Sequence, residues 1–95
     1  MRYKKMFMKK PYKTLEEFYK AIEKLIELLR LNGCEPEAQK LDSLLHGIWT
    51  TSSELIGELM LYLERINTNL PRDVEKLKDD CLYFAKHHRK ILGLN

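Results

Sequence analysis

The clearest structural signal in the chain lies in residues 14–33, which read TLEEFYKAIEKLIELLRLNG. Apolar residues recur there at spacings of three and four, which is the period of one helix face. They are Leu15, Phe18, Tyr19, Ile22, Leu25, Ile26 and Leu29. Thr14 and Glu17 have the spacing of a capping box, and a glycine commonly ends a helix. The sequence therefore predicts an amphipathic helix that Thr14 caps and Asn32-Gly33 ends.

Two further helices are predicted in the next part of the chain. Pro36 suits the first turn of a second helix, because its missing N–H would be unpaired there in any case. Gly47 is expected to end this helix. Thr51 and Glu54 form a second capping box, which begins a third helix that runs to about Asn67.

A fourth helix is predicted to begin at Leu70-Pro71. The residues of its seam recur in alternating steps of four and three, the spacing of a heptad repeat. They are Leu70, Val74, Leu77, Cys81, Phe84, His88 and Ile91. Connections of roughly 3–5 residues favour antiparallel neighbours. The predicted fold is all-α, a small antiparallel four-helix bundle formed as one domain by residues 14–95, with a basic N-terminal arm.

Length and composition limit what this chain can be. It has 95 residues, of which 44% are hydrophobic and 33% charged, as in one globular domain. A chain of this size builds one modest core and no deep enclosed active site. Its longest apolar run, Leu59–Leu63, is far shorter than a membrane span.

The expected location of the protein is cytoplasmic. Met6-Phe7-Met8 is too short for the apolar region of a secretory signal. The two cysteines are therefore expected to be reduced thiols. Cys81 lies on the seam of the fourth helix and is predicted to be buried, whereas Cys34 follows a helix-ending glycine and is predicted to be exposed.

The positive net charge comes from residues 1–13, which carry six basic and no acidic side chains. The rest of the chain carries 11 basic and 14 acidic side chains. The basic residues of this arm are Arg2, Lys4, Lys5, Lys9, Lys10 and Lys13. A short lysine-rich leader is typically a solvated terminus. The alternative function is that of a nucleic-acid accessory protein, in which the arm contacts phosphates without sequence specificity.

No motif in the sequence predicts catalysis, a metal or a cofactor. The chain has no CxxC, HExxH or ExxH spacing, and its serines lack the context of a nucleophile elbow. Glu54 and Glu58 lie four residues apart on one helix face, which is typical of a solvated surface and not of an acid–base pair. We therefore expect that the protein is not an enzyme.

One loop has the composition of a ligand site. Four hydroxyl side chains stand at the predicted start of the third helix, where backbone N–H groups attract anions. The loop residues are His46, Trp49, Thr50, Thr51, Ser52, Ser53 and Glu54. The competing interpretation is a well-capped helix, with Trp49 as an apolar plug at the end of the bundle.

The third helix is more apolar than its position in a four-helix domain requires. From Leu55 to Ile66, eight of twelve residues are apolar. Leu61 falls outside the inward stripe, in a row with Glu54, Glu58 and Arg65 that should face water. Such a residue is typical of a contact surface. We predict a two-fold homodimer interface of Leu61, Tyr62, Met60, Glu58 and Arg65.

A resemblance concerns the same region. Residues 46–55 read HGIWTTSSEL and are followed by Gly57-Glu58-Leu59. This segment resembles one found in small uncharacterised bacterial proteins of a domain-of-unknown-function type. The likeness is sharp only in this loop, extends from about Leu15 to Ile91, and leaves the basic arm outside. It implies a small bacterial helical protein and brings no activity with it.

Overall fold

The structure, a computed structural model, describes the backbone of residues 12–66 and 69–91 and the side chains of these residues as far as His88. The described chain consists of four α-helices and contains no strand, so the prediction of an all-helical protein is confirmed. The four helices are α1 (Leu15–Leu31), α2 (Glu35–Leu45), α3 (Ser52–Arg65) and α4 (Arg72–Ile91). None of these four helices is both long enough and apolar enough to cross a bilayer.

Most of the predicted basic arm lies outside the described residues. This holds for Arg2, Lys4, Lys5, Lys9 and Lys10. Lys13 is described and exposed, and its backbone N–H donates to the carboxylate of Glu17 over 2.8 Å.

Helix α1 begins and ends where the sequence predicts. The hydroxyl of Thr14 accepts the N–H of Glu17 at 3.1 Å, which satisfies one of the unpaired donors of the first turn. At the other end, Gly33 has a φ of 77°, a conformation that glycine adopts without a steric penalty. This turn lets the N–H of Cys34 donate to the carbonyl of Leu29 over 2.8 Å and closes the helix.

Cys34 is buried, so the prediction that it is exposed is wrong. Its relative exposure is 7%. The hydrogen bond to Leu29 folds the chain back over the end of α1, and α2 begins at the next residue. The thiol is therefore enclosed between the two helices. Cys81 is fully buried, as predicted, and both cysteines are free thiols.

The other helix boundaries differ from the predictions by one or two residues. Helix α3 ends at Arg65 and not at about Asn67, because Ile66 is already extended, with a ψ of 113°. Helix α4 begins at Arg72. Pro71 stands immediately before it, and the carbonyl of Pro71 accepts the N–H of Glu75 at 2.9 Å.

The helices pack around one hydrophobic core. Helix α1 packs against α2 and α4, and α3 also packs against α2 and α4, so every helix has two neighbours. The fully buried larger side chains are Phe18, Ile22, Leu25, Leu29, Leu41, Ile56, Leu59, Leu63, Val74 and Cys81. Since each helix buries only part of its circumference, each also presents an outer face.

An aromatic cluster joins the start of α1 to α4. The rings of Phe18 and Phe84 stack with centroids 4.7 Å apart, and the ring of Tyr12 lies edge-on to Phe84 at 5.9 Å. Tyr12 belongs to the predicted arm of residues 1–13, but its side chain packs against the core. Its hydroxyl is 3.9 Å from the sulfur of Cys81. Burial raises the pKa of Cys81 to about 12, so this thiol is protonated at neutral pH.

Candidate protein-contact surface on helix α3

The outward row of α3 contains one apolar residue among charged ones. Glu54, Glu58, Leu61 and Arg65 are all exposed, as their spacing predicts. The relative exposure of Leu61 is 43%, although it lies well inside the helix and not at a frayed end. Neither Glu58 nor Arg65 has an ion-pair partner among the described residues. Leu61 thus stands between an acid and a base that are both available for intermolecular contacts.

The other two apolar residues of the predicted interface belong partly to the core. Met60 and Tyr62 are half-buried and pack against the core of their own chain. Burial raises the pKa of the Tyr62 hydroxyl, and the carboxylate of Glu37 on α2 raises it further. Among the three apolar residues of the predicted set, Leu61 is the one that is exposed.

A shallow groove of about 260 Å³ lies beside this outward row. We call it the α3 groove. It is lined by Trp49, Ser53, Glu54, Gly57, Glu58 and Leu61. Five of these six residues lie on α3, and Gly57 leaves space because it has no side chain. The α3 groove therefore joins part of the predicted ligand loop to part of the predicted interface.

Trp49 forms one wall of the α3 groove and is held in place by the end of α2. Its indole N–H donates to the carbonyl of Leu44 over 2.7 Å. This carbonyl belongs to the last turn of α2, where carbonyls have no partner within the helix. The indole also lies close to Gly47, since a Cβ there would be 3.2 Å from Nε1 and 3.1 Å from the carbonyl oxygen of Ser43. A side chain at position 47 would require these neighbours to shift by a few tenths of an ångström.

A second depression, of about 340 Å³, lies on the other side of the loop. It is lined by Tyr19, Leu45, Gly47, Trp49, Thr50, Thr51, Ser52 and Leu55. Trp49 lines both depressions. His46 lines neither of them. Its Nε2 lies 3.3 Å from the carboxylate of Asp42, which in turn approaches Arg30.

The hydroxyl loop makes the hydrogen bonds of a helix cap. The hydroxyl of Thr51 accepts the N–H of Glu54 at 3.2 Å. The carboxylate of Glu54 accepts the N–H of Thr50, also at 3.2 Å. In a standard capping box the carboxylate would accept the N–H of the cap residue itself. The predicted cap at Thr51 is confirmed. The carboxylate of Glu54 differs from the standard motif only in accepting the N–H of Thr50, one residue before the cap.

Replacing Thr51 with alanine is expected to lower the free energy of unfolding by about 0.5–2 kcal/mol, because the N–H of Glu54 loses its acceptor. Urea denaturation followed by circular dichroism measures this change. Thr50→Ala is the matched control, since it removes a neighbouring exposed hydroxyl and keeps the backbone N–H that Glu54 binds. Equal stability of the two variants would contradict the assignment of Thr51 as the cap.

The described side chains do not form a metal site. No three His, Cys, Asp or Glu residues come together among them. The two carboxylates that line the α3 groove, Glu54 and Glu58, are exposed to solvent. Exposed carboxylates of this kind can attract a cation or a hydrogen-bond donor.

Gly57 is the residue of this surface that sequence reasoning missed. It lies inside a helix, where glycine costs about 1 kcal/mol relative to alanine. An isolated glycine within a helical pattern signals close packing or a surface depression. The sequence therefore contained a signal at Gly57. The structure shows that the surface depression in question is the α3 groove, which Gly57 lines.

Comparison of the chain with models of protein families, with curated proteins and with solved structures finds no match. The fold and the surface define a small all-helical protein with an exposed apolar residue on α3. The resemblance of residues 46–55 to small bacterial proteins stays a prediction.

Proposed function

We propose that this protein acts through protein–protein contacts, as a homodimer that pairs through the outward row of α3, and that it does not catalyse a reaction. The observation that carries the proposal is the exposure of Leu61 between Glu58 and Arg65. Covering an apolar side chain with a second copy removes its surface from water, which is favourable. The same row supplies charges of both signs to the rim of the contact.

The row is compatible with two-fold symmetry. In a two-fold interface the same surface is used on both copies, so it must be complementary to itself. Leu61 of one copy can contact Leu61 of the other copy near the two-fold axis. The acidic residue beside Leu61 in one copy can then pair with the basic residue beside Leu61 in the other copy. The proposal also includes the predicted antiparallel order of the four helices, with this row on an outer face of the bundle.

The test is the mass of the protein in solution, measured by light scattering at several protein concentrations. We expect twice the chain mass of 11.4 kDa, with dissociation on dilution. Because the centre of the contact is apolar, the dimer should persist at high salt, where exposed charge pairs are screened. The chain mass at every concentration would contradict the homodimer.

A further inference from the structure

We propose that the α3 groove binds the side chain of Arg65 from a second copy of this chain. The inference rests on the proposed homodimer and names what each copy inserts into the other. Three independent features of the described surface lead to it: the chemistry of the groove walls, the position of Arg65 in the outward row, and the spacing between Arg65 and Glu58.

The walls of the α3 groove suit a guanidinium group. Trp49 lines the groove, and an indole is a group on which an arginine side chain stacks favourably. Glu54 and Glu58 offer carboxylates, which accept hydrogen bonds from guanidinium N–H groups. Gly57 has no side chain, so a planar group can lie close to the helix. The groove is lined by no basic side chain that would oppose a cation.

Arg65 is not among the residues that line the groove of its own chain. It lies seven residues after Glu58 on the same helix, which is about 10 Å along the helix axis. Side chains on one helix pair at a spacing of three or four residues. Arg65 is exposed, and the part of the chain that the structure describes offers it no carboxylate partner. Its charge is therefore available to a second molecule.

Two-fold symmetry brings these groups together. Glu58 lies three residues before Leu61, and Arg65 lies four residues after it. When two copies of α3 run antiparallel with the axis near Leu61, Glu58 of each copy lies opposite Arg65 of the other. Both pairs form at once, and each places a guanidinium at the mouth of the α3 groove between Glu58 and Trp49.

The experiment uses two charge reversals, Glu58→Arg and Arg65→Glu, in the full chain. Each variant alone places like charges opposite each other at both ends of the interface. We expect its dimer dissociation constant to rise about tenfold or more. An equimolar mixture of the two variants restores opposite charges at both ends of a heterodimer. We therefore expect the mixture to dimerise nearly as tightly as the wild type, by light scattering.

Glu23→Arg is the control for the net charge of Glu58→Arg, because Glu23 is exposed on α1 and both reversals change the net charge in the same way. It should leave dimerisation unchanged. A mixture that stays as weak as its components overturns the pairing of Glu58 with Arg65. A wild-type protein that is monomeric throughout overturns the proposed homodimer itself. A wild-type dimer without complementation overturns only the present inference.

Trp49 provides a second readout, since it is the only tryptophan of the chain. Its emission should change in parallel with the dimer fraction when the wild type is diluted. The same change should return when the two charge-reversed variants are mixed. An emission that stays constant while the mass changes would show that the partner does not reach the α3 groove and would overturn the proposal.

Discussion

Replacing Leu61 with glutamate is expected to convert the dimer into a monomer without loss of helical structure. In each copy the substitution removes an apolar side chain that is 43% exposed in the isolated chain. Burial of a full leucine side chain contributes about 1.5–3 kcal/mol, so the exposed part contributes about 1 kcal/mol per copy. Two copies lose about 2 kcal/mol, and two carboxylates are placed near each other at the axis.

The lost apolar burial alone corresponds to an increase of the dimer dissociation constant by about 30-fold. Repulsion between the two new carboxylates raises the dissociation constant further. The stability of the single folded chain should not decrease. Leucine and glutamate have similar helix propensities, and the position is exposed. The new carboxylate also lies four residues before Arg65, which is the favourable order for a helix ion pair.

Light scattering and circular dichroism together measure the two parts of this prediction. Leu31→Glu is the matched control, because Leu31 is 78% exposed at the end of α1, outside the outward row of α3. It introduces the same charge and should leave the mass unchanged. A Leu61→Glu protein that remains dimeric would show that α3 does not form the contact, whereas a loss of helicity would show that Leu61 supports the fold.

The helices could be predicted because their signals are local. The apolar period of α1 and the spacing of Thr14 and Glu17 lie within a few turns of one another, and the structure has both. The outward row of α3 follows in the same way from helix geometry. Once residues 52–65 form a helix, the row that contains Glu58, Leu61 and Arg65 must share one face.

The features that could not be predicted depend on contacts between distant segments. The burial of Cys34 arises from the turn that follows Gly33 and from the immediate start of α2. The α3 groove exists because the end of α2 holds Trp49 beside α3. Tyr12 packs against Phe84, more than seventy residues away, and no periodic pattern relates two such positions.

Replacing Phe18 with alanine is expected to cause the largest loss of stability, about 3–5 kcal/mol. Phe18 is fully buried and lies at the centre of the aromatic cluster, with its ring stacked on Phe84 at 4.7 Å. Its removal leaves a cavity between α1 and α4 and takes away the ring contact between Phe18 and Tyr12. A domain of this size has a total stability of about 5–15 kcal/mol, so the loss is a large fraction of it.

Urea denaturation followed by circular dichroism measures this loss. Tyr83→Ala is the matched control, because Tyr83 is an exposed aromatic residue of α4 whose ring stacks only on His87 among the described rings. It should cost much less. Phe18→Leu keeps most of the buried volume and should fall between the wild type and Phe18→Ala, which keeps the test informative if the alanine variant does not fold. Removal of a fully buried ring disturbs the core more than removal of a surface ring does. If Phe18→Ala lowered the free energy of unfolding no more than Tyr83→Ala, the packing of α1 on α4 through the Phe18 ring would be contradicted.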